Sequence, residues 1–109
     1  MIESADLTTV MKTLADPTRR GVFESIMRQG EITVGELVKG SHVSQPAISQ
    51  HLRALRDAGL VHERRSGRQV FYRPEPKGLT PLLDWIGHYT AFWRERFDAM
   101  QKLLKEMDR

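Results

Sequence analysis

The sequence predicts a mainly α-helical protein with one small β-hairpin. Apolar residues recur at helical spacing along most of the chain, helix caps can be identified directly, and one strand-like stretch interrupts this pattern. The chain has 109 residues, a typical length for one domain. We therefore expect residues 1–109 to fold as a single domain.

Two helices are predicted before residue 31. The first has an amphipathic stripe with i, i+3, i+4, i+7 spacing, made of Leu7, Val10, Met11 and Leu14. The second begins with Asp16 as N-cap and Pro17 at its first position, and it ends at Gly30. Its expected buried face consists of Val22, Phe23, Ile26 and Met27.

The central segment predicts a helix-turn-helix. Thr33 and Glu36 have the spacing of a capping box, which opens a short helix that Gly40 and Ser41 end. After the turn at residues 40–43, Ser44 caps a second helix that Gly59 ends. The inward face of this second helix is expected to contain Ile48, Leu52 and Leu55. A short helix, a tight turn and a capped helix form a helix-turn-helix.

Residues 60–73 predict a β-hairpin directly after this motif, which makes it a winged helix-turn-helix. Taking Ser66 and Gly67 as the turn places Arg65 opposite Arg68 and Val61 opposite Tyr72. Two arginines opposite each other at a hairpin tip repel, so we expect DNA phosphates or a narrow minor groove to neutralise them.

A last helix is predicted from about Leu79 to about Met107, with one continuous apolar face. Together with the first helix it offers more apolar surface than a monomer of this size can cover, so we expect a homodimer. The expected interface residues are Leu7, Val10, Met11, Leu14, Ile86, Tyr89, Trp93, Phe97, Met100 and Leu104.

The net charge of +3 is concentrated in the centre of the chain, which favours an anionic polymer as partner. The outward face of the second motif helix carries side chains that can read base edges. These candidates are Gln45, Pro46, Ser49, Gln50 and Arg53. The candidates for backbone and wing contacts are Ser44, His51, Arg64, Arg65 and Arg68.

Several function classes are disfavoured. The chain has no cysteine, and it has no zinc-binding His-Glu-x-x-His motif, phosphate-binding loop or nucleophile elbow, so we expect no metal, no cofactor and no enzyme activity. No apolar run is long enough to span a membrane, and residues 1–6 lack the features of a signal peptide. We therefore expect a cytoplasmic protein without membrane contacts.

The chain resembles the ArsR/SmtB family of bacterial winged-helix repressors. The similarity lies in Leu14–Arg20, in Val43–Leu52, in the continuation through Leu55 to Ala58–Val61, and in the wing from Arg64 to Tyr72. It implies a homodimeric repressor of double-stranded operator DNA, whose first and last helices pair across the two-fold axis.

The chain departs from the metal-sensing members of that family. It lacks their cysteine motif on the short helix, and near the start of the last helix it has Asp84 and His88 without a second histidine. Two alternatives remain open. One is a metal- or small-molecule-responsive repressor that senses through the last helix, where Trp85, Tyr89, Phe92 and Trp93 cluster; the other is a non-specific nucleic-acid-binding module. No effector can be named.

Overall fold

The computed structural model describes residues 4–108. The predicted domain, 1–109, also includes residues 1–3 and 109, which lie outside the described residues. The fold is mostly helical with a small antiparallel sheet, and the predicted winged helix-turn-helix is confirmed. The elements in order are α1 (Ser4–Ala15), α2 (Pro17–Gln29), β1 (Ile32–Thr33), α3 (Val34–Lys39), α4 (Gln45–Asp57), β2 (Val61–Ser66), β3 (Gln69–Pro74) and α5 (Thr80–Met107).

The helix boundaries follow from local capping chemistry. The Asp16 side chain accepts a 2.9 Å hydrogen bond from the Arg19 backbone N–H at the start of α2. Thr33 and Glu36 form both bonds of the predicted capping box on α3, and the Ser44 hydroxyl accepts from Ala47 N on α4. The caps predicted for these three helices are therefore confirmed.

The core lies where α2, α4 and the base of the wing meet. Its fully buried side chains are Ile26, Ile48, Leu52, Leu55 and Leu60. The prediction that Met27 belongs to the buried face of α2 is wrong, because Met27 is 47% exposed. The face of α2 that reaches the core is narrower than predicted: it includes Val22, Phe23 and Ile26, and Met27 lies just beyond its edge.

The sheet has the strand order β1-β3-β2, and both pairings are antiparallel. The predicted hairpin register is wrong by two residues: Arg65 lies opposite Val70, Val61 opposite Pro74, and Gly67 and Arg68 form the turn. Gly67 has φ +62° and no non-glycine residue among those described has positive φ, as in a type II′ turn with glycine at its first central position. Arg65 and Arg68 are therefore not a directly opposite cross-strand pair, contrary to the prediction.

Helix α5 packs against α1 and the core only near its start. Leu79 and Leu82 contact the core, whereas the large apolar residues from Leu83 to Met107 are all at least 43% exposed. The radius of gyration is 17.9 Å, against about 13 Å for a compact chain of this length. Much of α5 thus extends from the body with an uncovered apolar face.

Helix α1 contributes less free surface than predicted. Val10, a predicted interface residue, is 2% exposed and belongs to the core of the chain itself, so its assignment to an interface is corrected. Leu7 and Leu14 are half-buried, and Met11 is exposed.

No helix in residues 4–108 is both long enough and apolar enough to cross a membrane.

Candidate nucleic-acid interface

Helix α4 presents a polar outward face, as the sequence predicted. Its inward residues Ile48, Leu52 and Leu55 are buried, which turns the opposite side to solvent. Among the predicted base-reading residues, Ser49 is partly exposed and the others are exposed, namely Gln45, Pro46, Gln50 and Arg53. The hydroxyl-capped N-terminus of α4 lies at the same end of this face, where the helix dipole attracts anions.

One flank of α4 is joined to α2 by a side-chain hydrogen bond. Arg19 Nε donates to His51 Nδ1 at 3.3 Å, and His51 is half-buried. The structure therefore gives His51 a packing contact between helices rather than the fully exposed position expected of a free phosphate ligand.

The same corner includes the N-cap of α2. The hydrogen bond from the Arg19 backbone N–H is the main cause that lowers the pKa of the Asp16 carboxyl below its usual value, with the charges of His51 and Arg19 as smaller causes. The carboxylate remains ionised at neutral pH, and this supports the cap at the start of α2.

The other flank of α4 is joined to the wing. Arg56 reaches Glu63 at 3.5 Å, and the Tyr72 hydroxyl donates to the same Glu63 oxygen at 2.8 Å. Burial, followed by the hydrogen bond to Glu63, raises the pKa of Tyr72 to about 12. Tyr72 therefore stays a neutral donor, and Glu63 connects α4 to the middle strand of the sheet.

A cleft of about 470 Å³ separates the N-terminal half of α4 from the wing. It brings together two predicted base-reading residues, Gln45 and Ser49, with the wing arginines Arg65 and Arg68. Pro46, Gln50 and Arg53 do not line the cleft. The remaining lining residues are Thr33, Val34, Gly35, Glu63, Gln69, Val70 and Tyr72.

Gln69 is a candidate contact that the sequence analysis missed. It follows the wing turn and faces the cleft as an exposed amide. The misplaced turn hid this residue, because its position beside the hairpin tip becomes evident only when Gly67 and Arg68 form the turn.

Arg64 differs from the other wing arginines. Its guanidinium binds the Glu31 carboxylate at 2.7 and 3.4 Å and lies over the Phe71 ring, 4.6 Å from the centroid. Arg64, a predicted wing contact, is therefore already paired with a carboxylate. In residues 4–108 no carboxylate forms an ion pair with Arg65 or Arg68.

In the part of the chain that is described, no three metal-ligating side chains come together. Asp84 and His88 are exposed on α5. Beside them, four aromatic side chains line an open aromatic hollow of about 400 Å³ on the helix surface, namely Trp85, Tyr89, Phe92 and Trp93. Trp85 and Tyr89 have edge-to-face geometry with 5.6 Å between centroids.

Comparison with known proteins identifies the family. The model of the bacterial regulatory proteins of the arsR family matches residues 16–63, which run from the cap of α2 through α4 into β2. An HTH-type transcriptional regulator of Mycobacterium tuberculosis is 44% identical over 93 residues, covering 85% of this chain and 83% of that protein. The chain belongs to the ArsR family.

Other relatives agree with this assignment. The solved structure of the transcriptional repressor BigR from Xylella fastidiosa is 34% identical with a TM-score of 0.62, covering 82% of this chain and 88% of that one. The arsenic resistance regulator ArsR1 of Pseudomonas putida is 47% identical over 68 residues, or 62% of this chain, but this match spans only 53% of that protein. As an ArsR-family member, the chain is a DNA-binding transcriptional regulator, and the relatives are regulators rather than enzymes.

Proposed function

We propose that this ArsR-family protein is a homodimeric, sequence-specific repressor that binds an inverted-repeat operator in the bacterial cytoplasm. The observation that carries the proposal is the cleft where Gln45 and Ser49 of α4 meet Arg65 and Arg68 of the wing. It combines groups able to read bases with cations that have no carboxylate partner in residues 4–108.

The chemistry of α4 supports direct reading in the major groove. Glutamine amides pair with adenine in two hydrogen bonds, arginine pairs with the two acceptors of guanine, and serine pairs with either base. Gln45, Ser49, Gln50 and Arg53 would supply these contacts, and the ring of Pro46 would touch a thymine methyl group. The N-terminus of α4 at Ser44 would bind a backbone phosphate.

The wing supports a second, sequence-independent part of the contact. Arg65 lies on the cleft side of β2, and Arg68 lies in the turn itself. Both guanidinium groups would neutralise phosphates or enter a narrow minor groove. In this mode α4 determines which sequence binds, and the wing adds affinity for any duplex.

Dimerisation would place two α4 helices on one duplex. The exposed apolar face of α5 and the exposed Met11 of α1 would form the interface, leaving α4 and the wing free. A two-fold protein fits an inverted repeat, and such a complex would block a promoter sterically until a signal lowers operator affinity.

A small-molecule-responsive repressor is the second candidate. The aromatic hollow on α5 favours it, since ligand sites are concave and lined mainly by apolar rings. A ligand held there between two protomers would alter their pairing and thereby the spacing of the two α4 helices.

The test is competition between operator and random duplex, after the bound sites have been mapped across the genome. We expect a preference of about 10³ or more for the operator. Gln50→Ala should cost about 1–3 kcal/mol on the operator and relax discrimination at one base pair.

The matched control is Gln101→Ala on the exposed C-terminal half of α5, which should leave both affinities unchanged. Equal losses on operator and random DNA for Gln50→Ala would contradict the assignment of α4 as the reading helix.

A further inference from the structure

Arg64 links the wing to the body of the protein across three strands. It lies on β2 opposite Phe71 of the middle strand, which in turn lies opposite Thr33 of β1. Glu31 immediately precedes β1. Two strand spacings are about 10 Å, so the Arg64 side chain extends over the Phe71 ring to reach a carboxylate 33 residues away in sequence.

The guanidinium group is held along one edge and on one face in this position. Two of its nitrogens, Nε and one terminal nitrogen, donate to the two Glu31 oxygens, and its face lies on the Phe71 ring. A planar fork that is held by a bidentate carboxylate and a ring is far more restricted than a lysine or a free arginine. The Glu31 carboxylate offsets the Arg64 charge, and Arg73 is a second cation that acts on the same carboxylate.

The pKa directions agree with this geometry. The hydrogen bond with Arg64 lowers the pKa of the Glu31 carboxyl, and the same bond raises the pKa of the Arg64 guanidinium. Both groups therefore remain charged and paired over the pH range in which DNA binding is measured.

The backbone pairing between the wing and β1 is short. Only two residues of β1 pair with β3, and β2 is bonded to β3 but not to β1. The Arg64–Glu31 pair spans this narrow junction on one face of the sheet. Glu63, its neighbour in sequence, faces the cleft on the other side and contacts α4.

We propose that Arg64 is a positioning residue for operator binding, which fixes the angle of the wing through Glu31 and Phe71 and does not contact the DNA backbone. The inference rests on the proposed function, because it concerns the placement of Arg65 and Arg68 on the operator. For the substitution Glu31→Gln, a positioning role and a phosphate-contact role of Arg64 predict changes in operator affinity of opposite sign.

The decisive variant is Glu31→Gln. If Glu31 holds Arg64 in place, losing the carboxylate weakens operator binding. If instead Arg64 must leave Glu31 to bind a phosphate, losing the carboxylate removes a competitor and strengthens binding. Removing any acidic residue can raise affinity for DNA by reducing negative charge. The control for this effect is Glu24→Gln, at an exposed position of α2, and the affinity of Glu31→Gln is compared with that of the control.

The experiment measures operator affinity against salt for the full-length protein carrying Glu31→Gln, Arg64→Gln and both substitutions. We expect each single variant to lose about three- to tenfold in affinity, the range of an exposed ion pair counted twice in a dimer. The double variant should be no weaker than the single ones, because both changes break the same contact. The slope of affinity against salt should remain that of the wild type.

Three results of the affinity titrations would overturn the proposal: stronger binding by Glu31→Gln than by Glu24→Gln, a salt slope lowered by about one per subunit in Arg64→Gln, or no loss in either single variant. Hydrogen exchange of the wing amides in the free protein supplies a readout that does not depend on DNA. Faster exchange across residues 61–74 in both single variants supports the proposal, and unchanged exchange contradicts it. A wild-type protein without operator preference would contradict the proposed function, while this measurement would still decide the role of Arg64.

Discussion

The arginines of the wing differ in what they contact, and this difference determines what each contributes to binding. Arg68 lies in the turn, is exposed, and has no carboxylate partner among the described residues. Its charge is therefore free to replace a condensed counterion on DNA. Arg64, by contrast, is already paired with Glu31, as Arg56 of α4 is with Glu63 and Asp57.

We predict that Arg68→Ala weakens binding to operator and random duplex by similar factors. The slope of log affinity against log salt should fall by about one per subunit. Fluorescence anisotropy titrations at several salt concentrations measure both quantities. Arg94→Ala on α5, which removes the same charge far from α4 and the wing, is the control and should leave the slope unchanged. A slope equal to that of the wild type in Arg68→Ala would contradict the phosphate contact.

At the scale of residues, the sequence predicted which side of α4 is exposed, but it did not predict which side chains contact Arg64 and His51. The exposed face of α4 was predicted because Ile48, Leu52 and Leu55 define the inward side through simple periodicity. The partner of Arg64 lies 33 residues away, and that of His51 lies 32 residues away. Contacts at such separations depend on how whole elements pack, and no local pattern encodes them.

At the scale of the elements, two glycines differ in whether the backbone requires glycine: the turn at Gly67 does, and the helix at Gly21 does not. Gly67 in the wing turn has φ +62°, where an added Cβ is strained. Gly21 lies inside α2 with helical geometry, and a Cβ built there meets nothing within 4 Å. We predict that Gly67→Ala destabilises the protein by about 1 kcal/mol or more. Gly21→Ala should stabilise it by about 0.5–1 kcal/mol.

Urea unfolding at fixed protein concentration measures both changes, and each glycine serves as the control for the other. Gly67→Ala should also reduce affinity for all duplexes, because it alters the turn that holds Arg68. Equal shifts of the same sign for the two variants would show that the turn geometry at residue 67 does not limit stability.

The helices could be predicted from the sequence and the sheet only in part, for physical reasons. Helix ends depend on caps within three residues, such as Thr33 with Glu36, which can be read directly. Strand β1 has two residues and exists only because β3 pairs with it. The hairpin register depended on whether Gly67 takes the first or second turn position, and both fit the residue types. The burial of Met27 and of Val10 depends on how much of each helix surface the neighbouring elements cover.

For the whole molecule, the first question is whether a metal ion controls operator binding. We predict that zinc, nickel, cadmium and arsenite change operator affinity less than tenfold, equivalent to about 1.4 kcal/mol. Arsenite and cadmium prefer thiolates, and the chain has no cysteine. Zinc and nickel accept imidazole and carboxylate, but Asp84 and His88 supply two ligands per protomer, too few alone for a tetrahedral site.

Operator titrations with each ion, compared with the chelated protein, provide the measurement. A larger shift that Asp84→Ala or His88→Ala abolishes would place a metal site on α5, and the absence of cysteine would then not exclude metal sensing in this chain.

The shape of the protomer leads to the last prediction, that it forms a stable dimer through α5. Large apolar side chains such as Trp93, Phe97 and Leu104 are 64%, 55% and 54% exposed on a helix that extends from the body. Burying each such side chain contributes roughly 1.5–3 kcal/mol, so a row of them on two protomers exceeds the cost of association. We expect sedimentation to show a dimer at micromolar concentration.

Two substitutions to the same residue test which face of α5 pairs. Leu104→Glu places a charge in the apolar face, where removing it from water is costly, and should shift the protein toward monomer. Lys102→Glu introduces the same side chain about 200° around the helix and should leave the dimer intact. A monomer contacts only one half of an inverted repeat. The Leu104→Glu variant should therefore bind the operator more weakly, although its wing arginines would still contact phosphates. A wild-type monomer at micromolar concentration, or equal effects of the two variants, would contradict pairing through this face.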